Sequence, residues 1–100
     1  MRIIHNTSFI VQPQIEQEWI GFIRENYIAY LKAEAVINDL IFTKVSIDQP
    51  DGKTYSIQVI FDSEKDLELF TTLHLPVIEK KIIGKYKNHY LCFSSILKEI

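Results

Sequence analysis

The sequence predicts one α+β domain over residues 1–100, with its elements in the order β-α-β-β-α-β. Four runs rich in β-branched, aromatic or alternating apolar residues predict strands, over residues 2–11, 40–48, 54–61 and 89–97. Two longer stretches with apolar residues three and four apart predict helices, over residues 14–35 and from Asp62 to Gly84. Between the second and third strands, the segment Gln49-Pro50-Asp51-Gly52-Lys53 is typical of a turn and predicts an antiparallel hairpin.

Local signals indicate where the helices begin and bend. Pro13 stands in the first turn of the first helix, where its missing N–H group costs nothing. Ser63 and Asp66 have the spacing of a capping box at the start of the second helix. Pro76 should kink that helix or split it near Leu75. Gly21, in the middle of the first helix, could mark the close approach of another backbone.

This order of elements predicts the topology of the sheet. Right-handed crossovers in the two β-α-β units place the strands in the order 4-1-3-2, with both helices on one face. That arrangement is the ferredoxin-like βαββαβ sandwich. We therefore expect a sheet with one face covered by helices and one open face.

Residues two apart in a strand share a face, so the alternation predicts which residues contact the helices. The more apolar sets should do so: Ile3, Phe9 and Val11; Ile41, Val45 and Ile47; Tyr55, Ile57, Val59 and Phe61; and Leu91, Phe93 and Leu97. The open face would then be too apolar for water and too polar for a dry core. We expect it to be the interface of a homodimer, lined by Asn6, Ser8, Ser56, Gln58, Cys92 and Ser94. A monomer with a mixed surface is the alternative.

Composition limits the classes of function. The formal net charge is −2 and the basic residues form no stripe, so we expect no nucleic-acid partner. The longest apolar runs are far shorter than a membrane span needs, and no signal peptide is evident, so we expect a cytoplasmic protein without a membrane partner. Cys92 is the single cysteine, which excludes an internal disulfide.

Four residues are candidates for a small-molecule pocket on the helix side of the sheet: His5, Trp19, Tyr27 and His74. Two imidazoles beside aromatic rings could bind a ligand or move a proton. The alternative is that all four are core residues. The spacing of the histidines predicts no metal site, no glycine-rich phosphate loop is present, and no serine or cysteine is marked as a nucleophile. We therefore expect binding rather than catalysis, and no cofactor.

The chain contains five short motifs: His5-Asn6-Thr7-Ser8-Phe9, Trp19 with Tyr27-Ile28, Tyr55-Ser56-Ile57-Gln58, Phe61-x-Ser63 before Asp66-Leu67, and the strand from Leu91 to Leu97. Together they resemble an uncharacterised family of bacterial proteins of about 100 residues, common in Bacteroidetes. The resemblance implies a ferredoxin-like fold and no known activity.

The segment from Phe61 to Leu67 is also similar to the dimeric α+β barrel superfamily, which includes antibiotic-biosynthesis-type monooxygenases and haem-degrading enzymes. Asn6 matches an Asn of the haem-degrading members, but Phe70 and Lys80 stand where those have a Trp and the haem-ligating His. We therefore expect no haem. The resemblance leaves three functions open: a homodimeric ligand- or protein-binding domain, a small-molecule monooxygenase or isomerase with a helix-side pocket, and an amino-acid sensor. The sensor class usually has a glycine-rich loop, which Val11-Gln12-Pro13 lacks.

Overall fold

A computed structural model of the chain describes residues 1–46 and 52–100. Its four strands are β1 (Ile3–Val11), β2 (Asp39–Lys44), β3 (Lys53–Phe61) and β4 (Tyr90–Lys98). Helix α1 spans residues 16–34, after a 3-10 turn at Pro13–Ile15, and helix α2 spans residues 64–86. Most of the predicted turn, at residues 49–51, and the predicted inward position of Ile47 lie outside the described residues.

The four strands form one antiparallel sheet in the order β2-β3-β1-β4. This is the predicted order counted from the other edge, and both helices pack on one face, so the predicted fold is confirmed. Strand β1 is central and pairs over its whole length with β3 and β4. Strands β2 and β4 are the edges of the sheet.

Each helix contains one π-helical turn, at Arg24–Ile28 in α1 and at Phe70–His74 in α2. These turns explain why the buried residues of α1 lie four positions apart, at Trp19, Ile23, Tyr27 and Leu31. In a regular α-helix, each step of four residues turns about 40° past a full turn, so such a row would drift off the core. A π turn holds more residues and takes up that drift.

Helix α2 begins as predicted but does not break at Pro76. The Ser63 hydroxyl accepts a hydrogen bond from the Asp66 backbone N–H at 3.2 Å, which caps the helix. The π turn ends at His74, just before Pro76, and changes the hydrogen-bond pattern where a proline would otherwise leave a carbonyl unpaired. The helix therefore continues to Tyr86, past Gly84.

The core lies between the helices and the inner face of β1 and β3. Its largest fully buried side chains include Trp19, Tyr27, Phe61 and Phe70. Trp19 contacts the rings of Phe9, Phe42 and Tyr55 at centroid distances of 5.2, 6.0 and 5.1 Å. The close backbone approach suggested for Gly21 is wrong, because a Cβ atom there would meet nothing within 4 Å.

The predicted faces are right for the central strands and wrong for the edge strands. Residues directly opposite each other in an antiparallel pair share a face. The register pairs Phe42 with buried Ile57 and Cys92 with buried Phe9, so Phe42 and Cys92 point toward the helices. By the same rule Ser94, opposite buried Thr7, lies on the helix side and not on the open face as expected. The open face of the edge strands instead carries apolar residues: Ile41, Val45, Leu91, Phe93 and Leu97.

Candidate functional site

A small cavity opens between the inner face of β4 and helix α2. Its volume is about 30 Å³, which is room for roughly one water molecule or one small polar group. Residues from β1, both helices and β4 line it: Thr7, Phe9, Tyr27, Leu75, Glu79, Ile82, Tyr90, Cys92 and Ser94. The cavity therefore joins an apolar wall to several hydroxyl groups, and we call it the helix-side cavity.

The edge position of β4 keeps this cavity open to solvent. The helices cover β1 and β3, whereas Cys92 and Ser94 on β4 remain exposed although they face the helix side. The Ser94 hydroxyl lies 3.1 Å from the Thr7 hydroxyl, which fixes one wall by a hydrogen bond between β1 and β4. One end of the cavity therefore borders the core, and the other end is open to water.

Tyr27 supplies a buried hydroxyl group at this cavity. Its side chain is 1 % exposed, and no group within residues 1–46 and 52–100 meets hydrogen-bond geometry with its hydroxyl, although the Thr7 hydroxyl is near enough to act on the phenol pKa. Burial raises the pKa of the Tyr27 phenol, a rise that the Thr7 hydroxyl opposes and Glu79 and Cys92 reinforce. All three of these residues line the cavity, as Tyr27 itself does, so the phenol lies close to its wall. An unpaired buried hydroxyl is costly, which makes it a candidate ligand contact.

His5 stands behind the cavity rather than in its wall. Its Nδ1 atom lies 3.5 Å from the Thr7 hydroxyl, which in turn reaches Ser94. Burial lowers the pKa of the His5 imidazole below its usual value of 6.5, so the ring is neutral at pH 7. Its ring packs edge-on against Phe70 at a centroid distance of 5.0 Å. A short polar chain therefore leads from a neutral imidazole to the cavity.

The thiol of Cys92 is not activated. Burial is the main cause that raises the pKa of the Cys92 thiol, and the charge of Glu79 adds to it. The pKa of the neighbouring Tyr90 phenol is also raised mainly by burial. A reactive cysteine needs a lowered pKa, usually from a nearby cation. Cys92 and Tyr90 therefore act as neutral walls of the cavity.

Of the four residues predicted to form a pocket, only Tyr27 lines the helix-side cavity. Trp19 is fully buried in the aromatic cluster described above. His74 is buried between the helices, where its Nδ1 atom is 3.0 Å from the Tyr30 hydroxyl. His5 lies on the helix side of β1, as expected, but reaches the cavity through Thr7. The structure therefore separates the predicted group into a core residue, an interhelix contact and two residues near the cavity.

Thr7, Glu79 and Ser94 were not predicted as part of this site. Thr7 carries a recognisable signal, because it is a polar residue in the inward row of a central strand. Ser94 could be placed only with the register of β4, since the alternation of that strand favours the opposite face. Glu79 follows Leu75 by one turn on α2, but its orientation toward β4 depends on the π turn before it.

A larger groove lies at the far end of β1 and β4, with a volume of about 490 Å³. Its lining includes Gln12 and His89, whose side chains bond to each other at 2.9 Å. The Gln12 backbone N–H also donates to the His89 carbonyl at 3.1 Å. Because these polar groups satisfy one another on an open surface, we consider the smaller helix-side cavity the better candidate site.

No group of three or more His, Cys, Asp or Glu side chains is placed to hold a metal ion in residues 1–46 and 52–100. Over the same part of the chain, neither helix is long and apolar enough to cross a membrane.

Solved structures with this fold come from several organisms. A candidate antibiotic biosynthesis monooxygenase from Nitrosomonas europaea is 11 % identical, with a TM-score of 0.71 over 99 % of this chain and 90 % of that one. A similar candidate enzyme from Bacillus cereus is 13 % identical, with a TM-score of 0.66 over 98 % and 90 % of the two chains. The hydroxynitrile lyase of Passiflora edulis is 20 % identical, with a TM-score of 0.63 over 98 % and 95 %. At these identities the similarity shows the fold alone.

The sequence identifies a family for this chain but no activity. No curated protein matches the chain. A family model described as a domain of unknown function, DUF4286, matches residues 2–100. This match agrees with the resemblance to an uncharacterised family of about 100 residues, while the structural neighbours share the α+β fold of the chain. The chain therefore belongs to the DUF4286 family.

Proposed function

We propose that this protein binds a small, mostly apolar molecule whose polar head group enters the helix-side cavity. The observation that carries the proposal is the Tyr27 hydroxyl, which is buried, unpaired within the described residues and part of a residue that lines that cavity. A ligand group placed there would give this hydroxyl a partner and remove the cost of leaving it unpaired. The Thr7 and Ser94 hydroxyls, already 3.1 Å apart, supply further hydrogen-bonding capacity.

The size of the cavity limits how the ligand can lie. About 30 Å³ accommodates one head group and not a whole metabolite. The remainder of the ligand would lie along the exposed helix-facing side of β4, beside Tyr90 and Cys92 and against Leu75 of α2. Burial of this apolar surface contributes about 25 cal/mol per Å², so the apolar part sets affinity and the head group sets orientation.

A pair of tyrosine variants tests this proposal. Tyr27→Phe removes the hydroxyl that we assign to the ligand. Tyr86→Phe removes another enclosed hydroxyl that has no partner among the described residues, on a residue that does not line the cavity. Straight-chain alkan-1-ols of four to eight carbons serve as probes in an NMR titration of the backbone amides. We expect the wild-type protein and Tyr86→Phe to show saturable shifts at Cys92 and Ser94, and Tyr27→Phe to lose at least tenfold in affinity.

Stability measurements separate a binding role from a packing role. Because the Tyr27 hydroxyl has no protein partner among the described residues, its removal should leave the free energy of unfolding unchanged or raise it by about 1 kcal/mol. The same holds for Tyr86→Phe. Equal affinity in the wild-type protein and Tyr27→Phe, or no saturable shifts with any of the alcohols, would contradict the proposal.

We also propose that the protein is a homodimer joined through the open face of the sheet. Leu91 and Phe93 on that face are 62 % and 61 % exposed, and Ile41, Val45 and Leu97 accompany them. At the centre, the Ser56 hydroxyl donates to Asn6 Oδ1 at 2.9 Å, with Ser8 and Gln58 alongside. Apolar patches of this kind usually mark an interaction surface, and a two-fold axis lets one patch pair with its own copy.

Catalysis on a small molecule, as in a monooxygenase or isomerase, is the second candidate function. The polar contacts that lead from His5 through Thr7 to Ser94 favour catalysis. Through them, a neutral imidazole could accept a proton from a ligand in the cavity. The 3.5 Å step would have to shorten on binding. In deuterated buffer, the protein should accelerate exchange of the protons beside the carbonyl of 2-hexanone, and His5→Asn should abolish the acceleration. Exchange at the uncatalysed rate would rule out this role.

A further inference from the structure

The charged side chain that lines the helix-side cavity is acidic. Glu79 lines it, and no lysine, arginine or histidine of the described residues does so. Within that part of the chain, Glu79 also forms no ion pair, unlike Glu16, Glu18 and Glu64, which pair with lysines. A carboxylate at the exposed mouth, with hydroxyl groups behind it, makes the cavity electronegative.

The other titratable groups of the cavity respond to this field. Glu79 contributes to raising the pKa of Tyr27, Tyr90 and Cys92, in each case after burial, which is the largest cause. Burial disfavours a charged group of either sign, whereas the Glu79 contribution disfavours a second negative charge in particular. A ligand carboxylate or phosphate there would meet both the burial cost and the repulsion, whereas an ammonium group would meet the burial cost but be attracted by Glu79.

The hydrogen-bonding groups point to a donor head group as well. The oxygens of Thr7, Tyr27, Ser94 and Glu79 can all accept hydrogen bonds, and among the described lining residues the carboxylate only accepts. We propose that the helix-side cavity selects a primary ammonium or a hydroxyl head group and rejects anionic ones. This inference rests on the proposed binding function and adds the chemical class of the ligand.

Three probes with the same apolar chain test the selectivity: hexylamine, hexan-1-ol and hexanoate, titrated at pH 7 and followed by the amide signals of Cys92 and Ser94. We expect hexylamine and hexan-1-ol to bind at least ten times more tightly than hexanoate. Glu79→Gln should reduce the ratio of the hexylamine and hexanoate affinities at least threefold. Glu68→Gln removes the same charge from an exposed position on α2 that does not line the cavity, and it should leave the ratio unchanged.

The outcomes separate the inference from the function on which it rests. Hexanoate binding as tightly as hexan-1-ol would overturn the charge selectivity and leave the binding site standing. Equal effects of Glu79→Gln and Glu68→Gln would also overturn it, because the preference would then come from the net charge of the whole protein. If none of the three probes produces saturable shifts, both the inference and the proposed function fail.

Discussion

The hydroxyl of Thr7 connects three groups that the sequence keeps far apart. It lies 3.1 Å from Ser94 and 3.5 Å from His5, and it opposes the burial-induced rise in the pKa of Tyr27. A β-branched side chain has restricted rotamers, so its hydroxyl is held in place by the strand itself. A threonine buried in the inward row of a central strand thus serves both the sheet and the cavity.

The three glycines differ in the space around them. A Cβ atom on Gly52 would meet the backbone oxygen of Val11 at 2.8 Å, whereas at Gly21 and Gly84 it would meet nothing within 4 Å. Gly52→Ala should therefore lower the free energy of unfolding by about 1–3 kcal/mol. Gly21→Ala and Gly84→Ala, which replace helical glycines, should each raise it by about 0.5–1 kcal/mol. Urea unfolding checks all three, and a neutral Gly52→Ala would show that β1 tolerates the added methyl group.

Burial of His5 should make the free energy of unfolding depend on pH. Its pKa is lowered in the folded protein, mainly by burial, so the unfolded chain binds the proton more tightly. The stability that this residue contributes is complete above the unfolded value of about 6.5 and is lost as the pH falls below it. Unfolding free energies should therefore fall from pH 7 toward pH 5, and His5→Asn should show a shallower fall. The same slope in both proteins would mean that His5 takes no part in it.

At the scale of elements, the sequence predicts central strands better than edge strands. In β1 and β3 the core contacts a whole row of side chains, so the more apolar row is the buried one. In β4 every residue after Tyr90 is exposed, and the more apolar row, with Leu91 and Phe93, lies on the open face. Alternation gives the two rows of a strand, but only the register with a buried neighbour tells which row faces the helices.

The π turns carry a sequence signal that helical periodicity alone misses. The buried residues of α2 are four apart over a long row: Phe70, His74, Ile78, Ile82 and Tyr86. An ideal α-helix would rotate such a row by about 160° from its first to its last residue, which the core could not accept. A strict spacing of four over several turns therefore indicates a π turn. The same signal in α1 brings Tyr27 to the cavity.

At the scale of the whole molecule, the apolar side chains beyond the capacity of the core lie mainly where a partner could cover them. The sequence is 47 % hydrophobic, more than the helix-covered core alone requires. Most of the large exposed apolar residues fall into two groups, one on the open sheet face and one on the outside of α2, with Leu69, Leu73 and Val77. The surplus could be predicted from composition, whereas its location required the register of the edge strands.

A matched pair of variants tests the homodimer. Phe93→Ser removes an apolar group from the open sheet face, and Leu73→Ser removes one of similar exposure from the outside of α2. In sedimentation equilibrium at tens of micromolar, the wild-type protein and Leu73→Ser should have twice the mass of the chain. Phe93→Ser should shift the dissociation constant at least tenfold toward the monomer. A monomeric wild-type protein at this concentration would contradict the sheet-to-sheet dimer.

Strands β1 and β4 present one side to the helix-side cavity and the other to the open sheet face. Thr7 and Ser94 lie on the first side, and Ser8 and Phe93, a directly opposed pair, on the second. Any shift of β4 that widens the cavity also moves the surface on which a second copy would rest. Ligand affinity and dimer affinity would then be thermodynamically linked, so that each changes the other by the same factor. Ligand binding in a cavity of about 30 Å³ would then change the affinity for a second copy of the chain that does not contact the ligand.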